Sequence, residues 1–315
     1  MPPSKERDDM TAILEVRKID KTYKNHAVLK GLSMRIEEGD IYGFVGKNGA
    51  GKTTLIRVIA GLIDTDGGEF SLFGTSNKSK EIHKERRKVC AMVESPSIYP
   101  ELSAKDNMKM QCLITGSSFD CIHPLLEYVD MAHTGKKRAK DFSLGMRQRL
   151  GIAMALVNEP RFMLLDEPIN GLDPEGIKQI RELLLKMNKE KGITILISSH
   201  ILTELSIFAN RFGFIDQGKL IKEATIEEIK ATSKSVTRVG FDRFDAGCDV
   251  LQYLGYSFTK EKGFANVSDH IDLMKLCLKL HDKGVCLTAY EPSPVDLEDY
   301  FMDLLGGSGN EIIKG

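Results

Sequence analysis

Gly46-Lys47-Asn48-Gly49-Ala50-Gly51-Lys52-Thr53-Thr54 decides the fold of this chain. The apolar run Ile41-Tyr42-Gly43-Phe44-Val45 before it reads as a buried strand, and Leu55-Ile56-Arg57-Val58-Ile59-Ala60-Gly61-Leu62 after it reads as a helix ending near glycine. Gly46, Gly49 and Gly51 let the backbone curl so that several N–H groups converge on phosphate oxygens. The helix adds its positive N-terminal end. Lys52 is placed to reach the β- and γ-phosphates and the Thr53 hydroxyl to ligate Mg²⁺, with Lys47, Asn48, Ala50 and Thr54 completing the cradle. A plain glycine-rich turn is the alternative; the strand–loop–helix context favours a nucleoside triphosphate site.

Working outward, 315 residues with 42% hydrophobic and 28% charged side chains suffice for about two domains with real cores. Lys and Arg number 44 against 45 Asp and Glu. That balance lacks the broad basic footprint of a dedicated nucleic-acid binder, and no nucleic-acid partner is expected. Cys90, Cys112, Cys121, Cys248, Cys277 and Cys286 are scattered without a C-x-x-C pair, so they are expected as buried free thiols of a reducing cytosol. Residues 1–12 are polar, lack the apolar core of a signal peptide, and are expected to be a disordered tail. Nowhere do about 18 apolar residues run together, so no segment is expected to span a bilayer.

The pattern is β-rich at first, with strands expected over Ala12–Lys24, Ala27–Ile36 and Gly68–Phe73. Residues 95–158 look like a helical insertion. Beyond it strands and helices alternate: Arg161–Leu165, helix Pro174–Asn188, Ile193–Ser198, helix Leu202–Phe208, then a hairpin over Arg211–Asp216 and Lys219–Lys222. Such alternation argues for a mainly parallel sheet covered on both faces. After Thr225 the motifs stop. Val236–Phe241, helix Cys248–Leu254, a strand pair near Ser257–Val267, helix Ile271–His281, strand Val285–Ala289 and helix Val295–Leu305 suggest a small accessory module. Gly306-Gly307-Ser308-Gly309 reads as flexible.

Three further motifs carry chemistry. Phe162-Met163-Leu164-Leu165 reads as a buried strand whose end delivers Asp166 and Glu167 to the phosphate site. There Asp166 suits Mg²⁺, and Glu167 suits a general base that polarises water. The run Ile193-Thr194-Ile195-Leu196-Ile197-Ser198-Ser199 ends with His200 at the carboxyl edge, where ligands of open α/β sheets bind. The other six histidines, including His26 and His270, are expected in surface or packing roles. Asp141 to Arg149 opens a helix with Ser143 and Gly145; it reads equally as a second anion-binding element or an ordinary cap.

The order of Gly46–Thr54, Ser143–Gln148, Leu164–Glu167, Asn170-Gly171-Leu172-Asp173 and Ser199-His200 resembles an ATP-binding cassette (ABC) ATPase over about residues 13–224. The resemblance implies an α/β P-loop NTPase. Its parts would be a mixed, mainly parallel core sheet, an antiparallel N-terminal part, a helical subdomain and, beyond residue 224, a C-terminal α+β module. It implies ATP hydrolysis with Mg²⁺, Tyr23 stacked on adenine, and Ser143 with Gly145 touching the γ-phosphate of ATP held by a second cassette. Gly171–Asp173 would lie across that dimer interface.

Two departures narrow it. Glu94, in Val93-Glu94-Ser95-Pro96, stands where the family usually has a metal-sensing glutamine beside the membrane partner, and Leu144 and Met146 replace the usual glycine and glutamine. Together with Pro292-Ser293-Pro294 and Leu297–Phe301, these are similar to the bacitracin-resistance and lantibiotic-immunity exporter ATPases. That likeness implies a subunit at the cytoplasmic membrane face that drives a peptide antibiotic or related amphiphile through a separate permease. A soluble single-cassette ATPase working in assembly or as a mechanical clamp is the alternative. The basic cluster Lys136–Lys140 reads first as a solvated face.

Overall fold

The computed structural model describes residues 12–232, 237–261, 263–267, 271–292 and 297–306. The expected tail before Ala12, His270, the segment after Pro292 and the glycine run at 307–309 lie outside them. Contacts divide the chain into two units, one ending at Thr225 and the other beginning at Ile226.

The first unit opens with a hairpin of β1 (Ala12–Tyr23) and β2 (His26–Glu37), then β3 (Ile41–Val45), which feeds α1 (Lys52–Ala60). Next come β4 (Gly67–Leu72), β5 (Thr75–Ser76), the short α2 (Ile82–Arg86) and β6 (Val89–Met92). Three helices, α3 (Ala104–Thr115), α4 (Ile122–Tyr128) and α5 (Leu144–Leu156), pack on one another. The unit closes with β7 (Phe162–Asp166), α6 (Pro174–Lys191), β8 (Thr194–Ser199), α7 (Leu202–Leu205), β9 (Arg211–Asp216) and β10 (Lys219–Thr225).

One sheet runs β2-β1-β4-β5, antiparallel throughout. The other runs β10-β9-β3-β8-β7-β6; its strands are parallel except β10, which is antiparallel at the edge. Every residue of β3, β7 and β8 is buried. That is why they read as unbroken apolar runs: both faces of a parallel sheet are covered. A hydrophobic core joins Phe44 of β3, Leu55 and Ile56 of α1, and Phe162 of β7 to the inner face of the antiparallel sheet.

β3 and β9 approach closely because each offers a glycine to the other's aromatic ring. A Cβ on Gly43 would lie 2.9 Å from the Phe212 ring, and one on Gly213 would lie 2.1 Å from the Tyr42 hydroxyl. The same hydroxyl donates to Glu223 Oε1 at 2.8 Å on β10. Burial, reinforced by the Glu223 charge, pushes the Tyr42 phenol well above its usual range and keeps it a donor. Gly213→Ala is therefore expected to overpack the sheet by about 1–3 kcal/mol. Thermal unfolding reads this as a drop of roughly 2–4 °C per kcal/mol for a domain of this size. An unchanged midpoint would mean the strands part to admit a methyl.

Several local expectations are corrected. The helix expected over Leu202–Phe208 is one turn, because the chain must leave it for Asn210 to bridge β3. The Asn210 side-chain oxygen accepts from Ile41 N at 2.9 Å, and its backbone N–H donates to Ile41 O at 3.1 Å. β6 was not expected at all. Cys277 and Cys286 are exposed rather than buried; Cys277 lies between Leu276 and Leu280, the two residues by which its helix is buried. The scattered Cys112 and Cys121 prove to be neighbours, their Sγ atoms 3.8 Å apart. Burial pushes the Cys112 thiol up to about 11, so it stays protonated.

The second unit contains α8 (Ile226–Thr232), β11 (Thr237–Phe241), α9 (Phe244–Tyr253), β12 (Phe258–Glu261), β13 (Phe264–Val267), α10 (Leu273–Asp282), β14 (Leu287–Pro292) and α11 (Leu297–Gly306). Its sheet runs β12-β13-β11-β14 and is wholly antiparallel. Strand–helix–strand–strand–helix–strand in that spatial order is the split-βαβ, ferredoxin-like arrangement. Val239, Leu251, Ala265 and Leu276 fill its core. Val285, expected to open the last strand, instead closes α10 by donating to Leu280 O at 2.9 Å, after a left-handed Gly284.

Candidate nucleotide site

The site forms at the carboxyl edge of the parallel strands. Between β3 and α1 the loop turns through Gly49 (φ 81°) and Gly51 (φ 112°), and Gly51 caps α1 without a side chain to occupy its N–H groups. A Cβ on Gly46 would meet Ile215 O at 2.4 Å, so the loop lies directly against β9. Buried Lys52 donates from Nζ to Gly46 O at 2.6 Å and Lys47 O at 3.3 Å, and stands 3.4 Å from Glu167 Oε1.

β7 supplies the carboxylates. Asp166 Oδ2 accepts from Thr53 Oγ1 at 2.8 Å, and Oδ1 accepts from Ser198 Oγ of β8 at 2.5 Å. Glu167 follows in a left-handed conformation (φ 50°), and its backbone N–H donates to both Ser198 O and Ser198 Oγ at 3.1 Å. Its Oε2 lies 2.8 Å from His200 Nδ1. With the carboxylate ionised, that nitrogen carries the hydrogen and donates it. A backbone held in this sparsely populated region belongs at sites where the side chain must be aimed.

Of these groups Gly49, Gly51, Lys52, Thr53 and Glu167 line a cleft of about 490 Å³, together with Tyr23 and Asn48, a size suited to a nucleotide. His26, Val28 and Asn170 line it too; His26 is a surface residue as expected, and the surface it belongs to is this cleft. It pairs with Tyr23 across the β1–β2 turn. That adjacency in Tyr23-Lys24-Asn25-His26 was the available signal. Ser198 was also missed; its mark was a pair of serines ending an otherwise apolar strand.

Two expected groups stand apart from the cleft. Ser143 caps α5, accepting from Met146 N at 3.2 Å, and Gly145 lies beside Leu172: a Cβ there would be 3.8 Å from Leu172 Cδ2. Leu144 in turn covers Gly171, its Cδ2 3.4 Å from where a Cβ would be. The segments 143–146 and 171–173 thus form one surface, with Asp173 capping α6. Glu94 is not brought to Thr53 and Asp166. Its carboxylate accepts from Arg57 Nη2 at 2.5 Å instead. Within the basic cluster, Arg138 and Lys140 share the one carboxylate of Glu101.

Thr53 Oγ1 and Asp166 Oδ2, 2.8 Å apart, are hard oxygens of the kind that suit Mg²⁺. Among the described residues no group of three or more His, Cys, Asp or Glu could hold a metal by itself.

A phosphate loop after β3 of a parallel sheet, with His following the adjacent β8 and Asp-Glu ending β7 one strand further along, defines a P-loop nucleotide hydrolase. Residues 29–170 match the ABC transporter family model. The bacitracin transport ATP-binding protein BcrA of Bacillus licheniformis is 37% identical over 303 residues, covering 95% of this chain and 99% of that protein. The lantibiotic transport ATP-binding protein SrtF of Streptococcus pyogenes is 41% identical over 211 residues, 67% of this chain and 90% of that one. Among solved structures, cbiO1 of Clostridium perfringens superposes with a TM-score of 0.64 at 28% identity, over 70% of this chain and 92% of its own. A dimeric ATP-binding cassette in a post-hydrolysis state with ADP and Pi gives 0.61 at 25% identity, over 68% and 98%. The chain belongs to the ATP-binding proteins of the ABC transporter family, and it binds and hydrolyses ATP.

Proposed function

We propose that this protein powers export of a peptide antibiotic or related amphiphile through a separate permease, as a pair of cassettes at the cytoplasmic membrane face. The observation that carries this reading is the end-to-end match with a bacitracin transport subunit, second unit included. The lantibiotic relative matches only 67% of the chain. No described helix is long and apolar enough to cross a membrane, so the reading assigns the membrane path to the permease.

In this reading ATP lies in the cleft with adenine against Tyr23 and its phosphates in the Gly46–Thr54 cradle. When bound, Mg²⁺ would be held by Thr53 and Asp166 and would neutralise charge on the β- and γ-phosphates. The phosphates draw Lys52 away from the loop carbonyls and from Glu167 Oε1. That carboxylate oxygen is then free to take a proton from water while His200 Nδ1 holds Oε2. The water oxygen bonds to the γ-phosphorus as the bond to the β–γ bridging oxygen breaks, leaving ADP and phosphate. Ser143 and Gly145 of a second copy close over the γ-phosphate; their separation from this chain's own cleft supports that arrangement, as does the dimeric relative.

Beside Glu94, a groove of about 350 Å³ lined by Leu62, Met92, Val93, Pro96 and Met154 offers an apolar seat for a cytoplasmic segment of the permease. Purification of the tagged protein from detergent-solubilised membranes is expected to bring down a polytopic membrane protein in stoichiometric amount. A purely soluble partner would favour the assembly or clamp alternative.

A further inference from the structure

We infer that Arg57 is a positioning residue that holds the Glu94 carboxylate away from the Thr53–Asp166 pair and competes with Mg²⁺ for it. The inference rests on the reading of Thr53 and Asp166 as the Mg²⁺ site.

Three observations meet here. Arg57 follows Thr53 by four residues on α1, so the two side chains share a helix face about 6 Å apart along the axis. Glu94 sits just beyond β6 in a left-handed conformation (φ 65°), which a residue with a Cβ adopts only when its surroundings hold it there. The turn there is closed by Ser95 N–H donating to Val93 O at 2.9 Å, and the carboxylate it presents is taken by Arg57, whose Nη2 donates to Glu94 Oε1 at 2.5 Å. Thr53 Oγ1 is meanwhile bonded to Asp166 at 2.8 Å, with no part for Glu94. The carboxylate is therefore engaged by a guanidinium carried on the same helix as Thr53, and not by the Thr53–Asp166 pair.

A glutamine could not be held this way, because a neutral amide offers no ion pair. With glutamate, the side chain's two partners are both cations, and engaging the metal requires leaving Arg57. The side chains of Arg57 and Glu94 are 37% and 68% exposed, so the pair is a weak latch, worth a two- to five-fold effect and no more. A latch of that strength yields to a divalent cation arriving with nucleotide. It sets the Mg²⁺ concentration at which the site engages rather than whether it engages.

The test is the Mg²⁺ dependence of binding, read with a fluorescent ATP analogue and the purified full-length protein. Arg57→Ala is expected to lower the Mg²⁺ concentration for half-maximal enhancement of nucleotide affinity two- to five-fold, and Arg57→Lys to restore most of it. In a Glu94→Gln background, Arg57→Ala should move nothing. A midpoint unmoved by Arg57→Ala, or moved equally in the Glu94→Gln background, overturns the role of Arg57 while leaving the metal site standing. A wild-type affinity indifferent to Mg²⁺ overturns the metal site and the inference together. Thermal unfolding of each variant separates these outcomes from misfolding.

Discussion

Glu167→Gln is expected to bind ATP close to wild-type strength and to release phosphate at least ~10²-fold more slowly, the usual contribution of a positioned general base. The amide keeps the size of the carboxylate and a carbonyl oxygen for His200 Nδ1–H, so the cleft should keep its shape. What it loses is the ability to accept a proton. It also loses the negative charge 3.4 Å from Lys52 Nζ, which frees Lys52 for phosphate and should tighten binding if anything. With hydrolysis blocked, the nucleotide-bound dimer should accumulate and be visible by gel filtration with ATP. Steady-state phosphate release at the wild-type rate would remove Glu167 from the base role. His200→Ala serves as the companion: it leaves the carboxylate in place but unaimed, so a smaller loss is expected.

Lys52→Ala acts on the other half of the site. Charge-assisted hydrogen bonds contribute about 1.5–3 kcal/mol each, so loss of this ammonium should weaken ATP affinity roughly ten- to hundred-fold. The structure adds a second cost. Lys52 satisfies Gly46 O and Lys47 O and stands beside Glu167 Oε1, and its removal leaves the loop without the cation that ties its carbonyls to the carboxylate. Weak binding and a less ordered loop are therefore expected together, by nucleotide titration and by hydrogen exchange over residues 46–52. An unchanged affinity would show that the loop N–H groups alone hold the phosphates.

The fold was legible where burial on both faces writes an unbroken apolar run, as in β3, β7 and β8, or where glycines punctuate a loop. It was illegible where a strand borrows its existence from a distant partner. β6 has four residues after a charged stretch, and its ladder comes from pairing Val89 with Phe162 and Met92 with Leu165. No local window contains that information. The ferredoxin-like order of the second unit is non-local for the same reason: β11 takes its neighbours from β13 and β14. Site residues could be named from motifs, yet their contacts could not. Thr53 and Asp166 meet across 113 residues, and the bond from Ser198 to Asp166 exists only once β8 is set beside β7. Glu94 stood out as an unusual residue, but its partner Arg57 reads in sequence as one more charge on a helix.

The place of β3 in its sheet has a consequence for synthesis. Its neighbours are β8 and β9: Phe44 lies opposite Ser198 on one side and Gly213 on the other. The phosphate loop is made early by the ribosome, but the walls that seat it are among the last parts of the first unit to emerge. Pairing across so many residues is slow to close, because the intervening chain must be drawn in first. A nascent chain halted before Asp216 would carry the complete nucleotide motif and still have no nucleotide site.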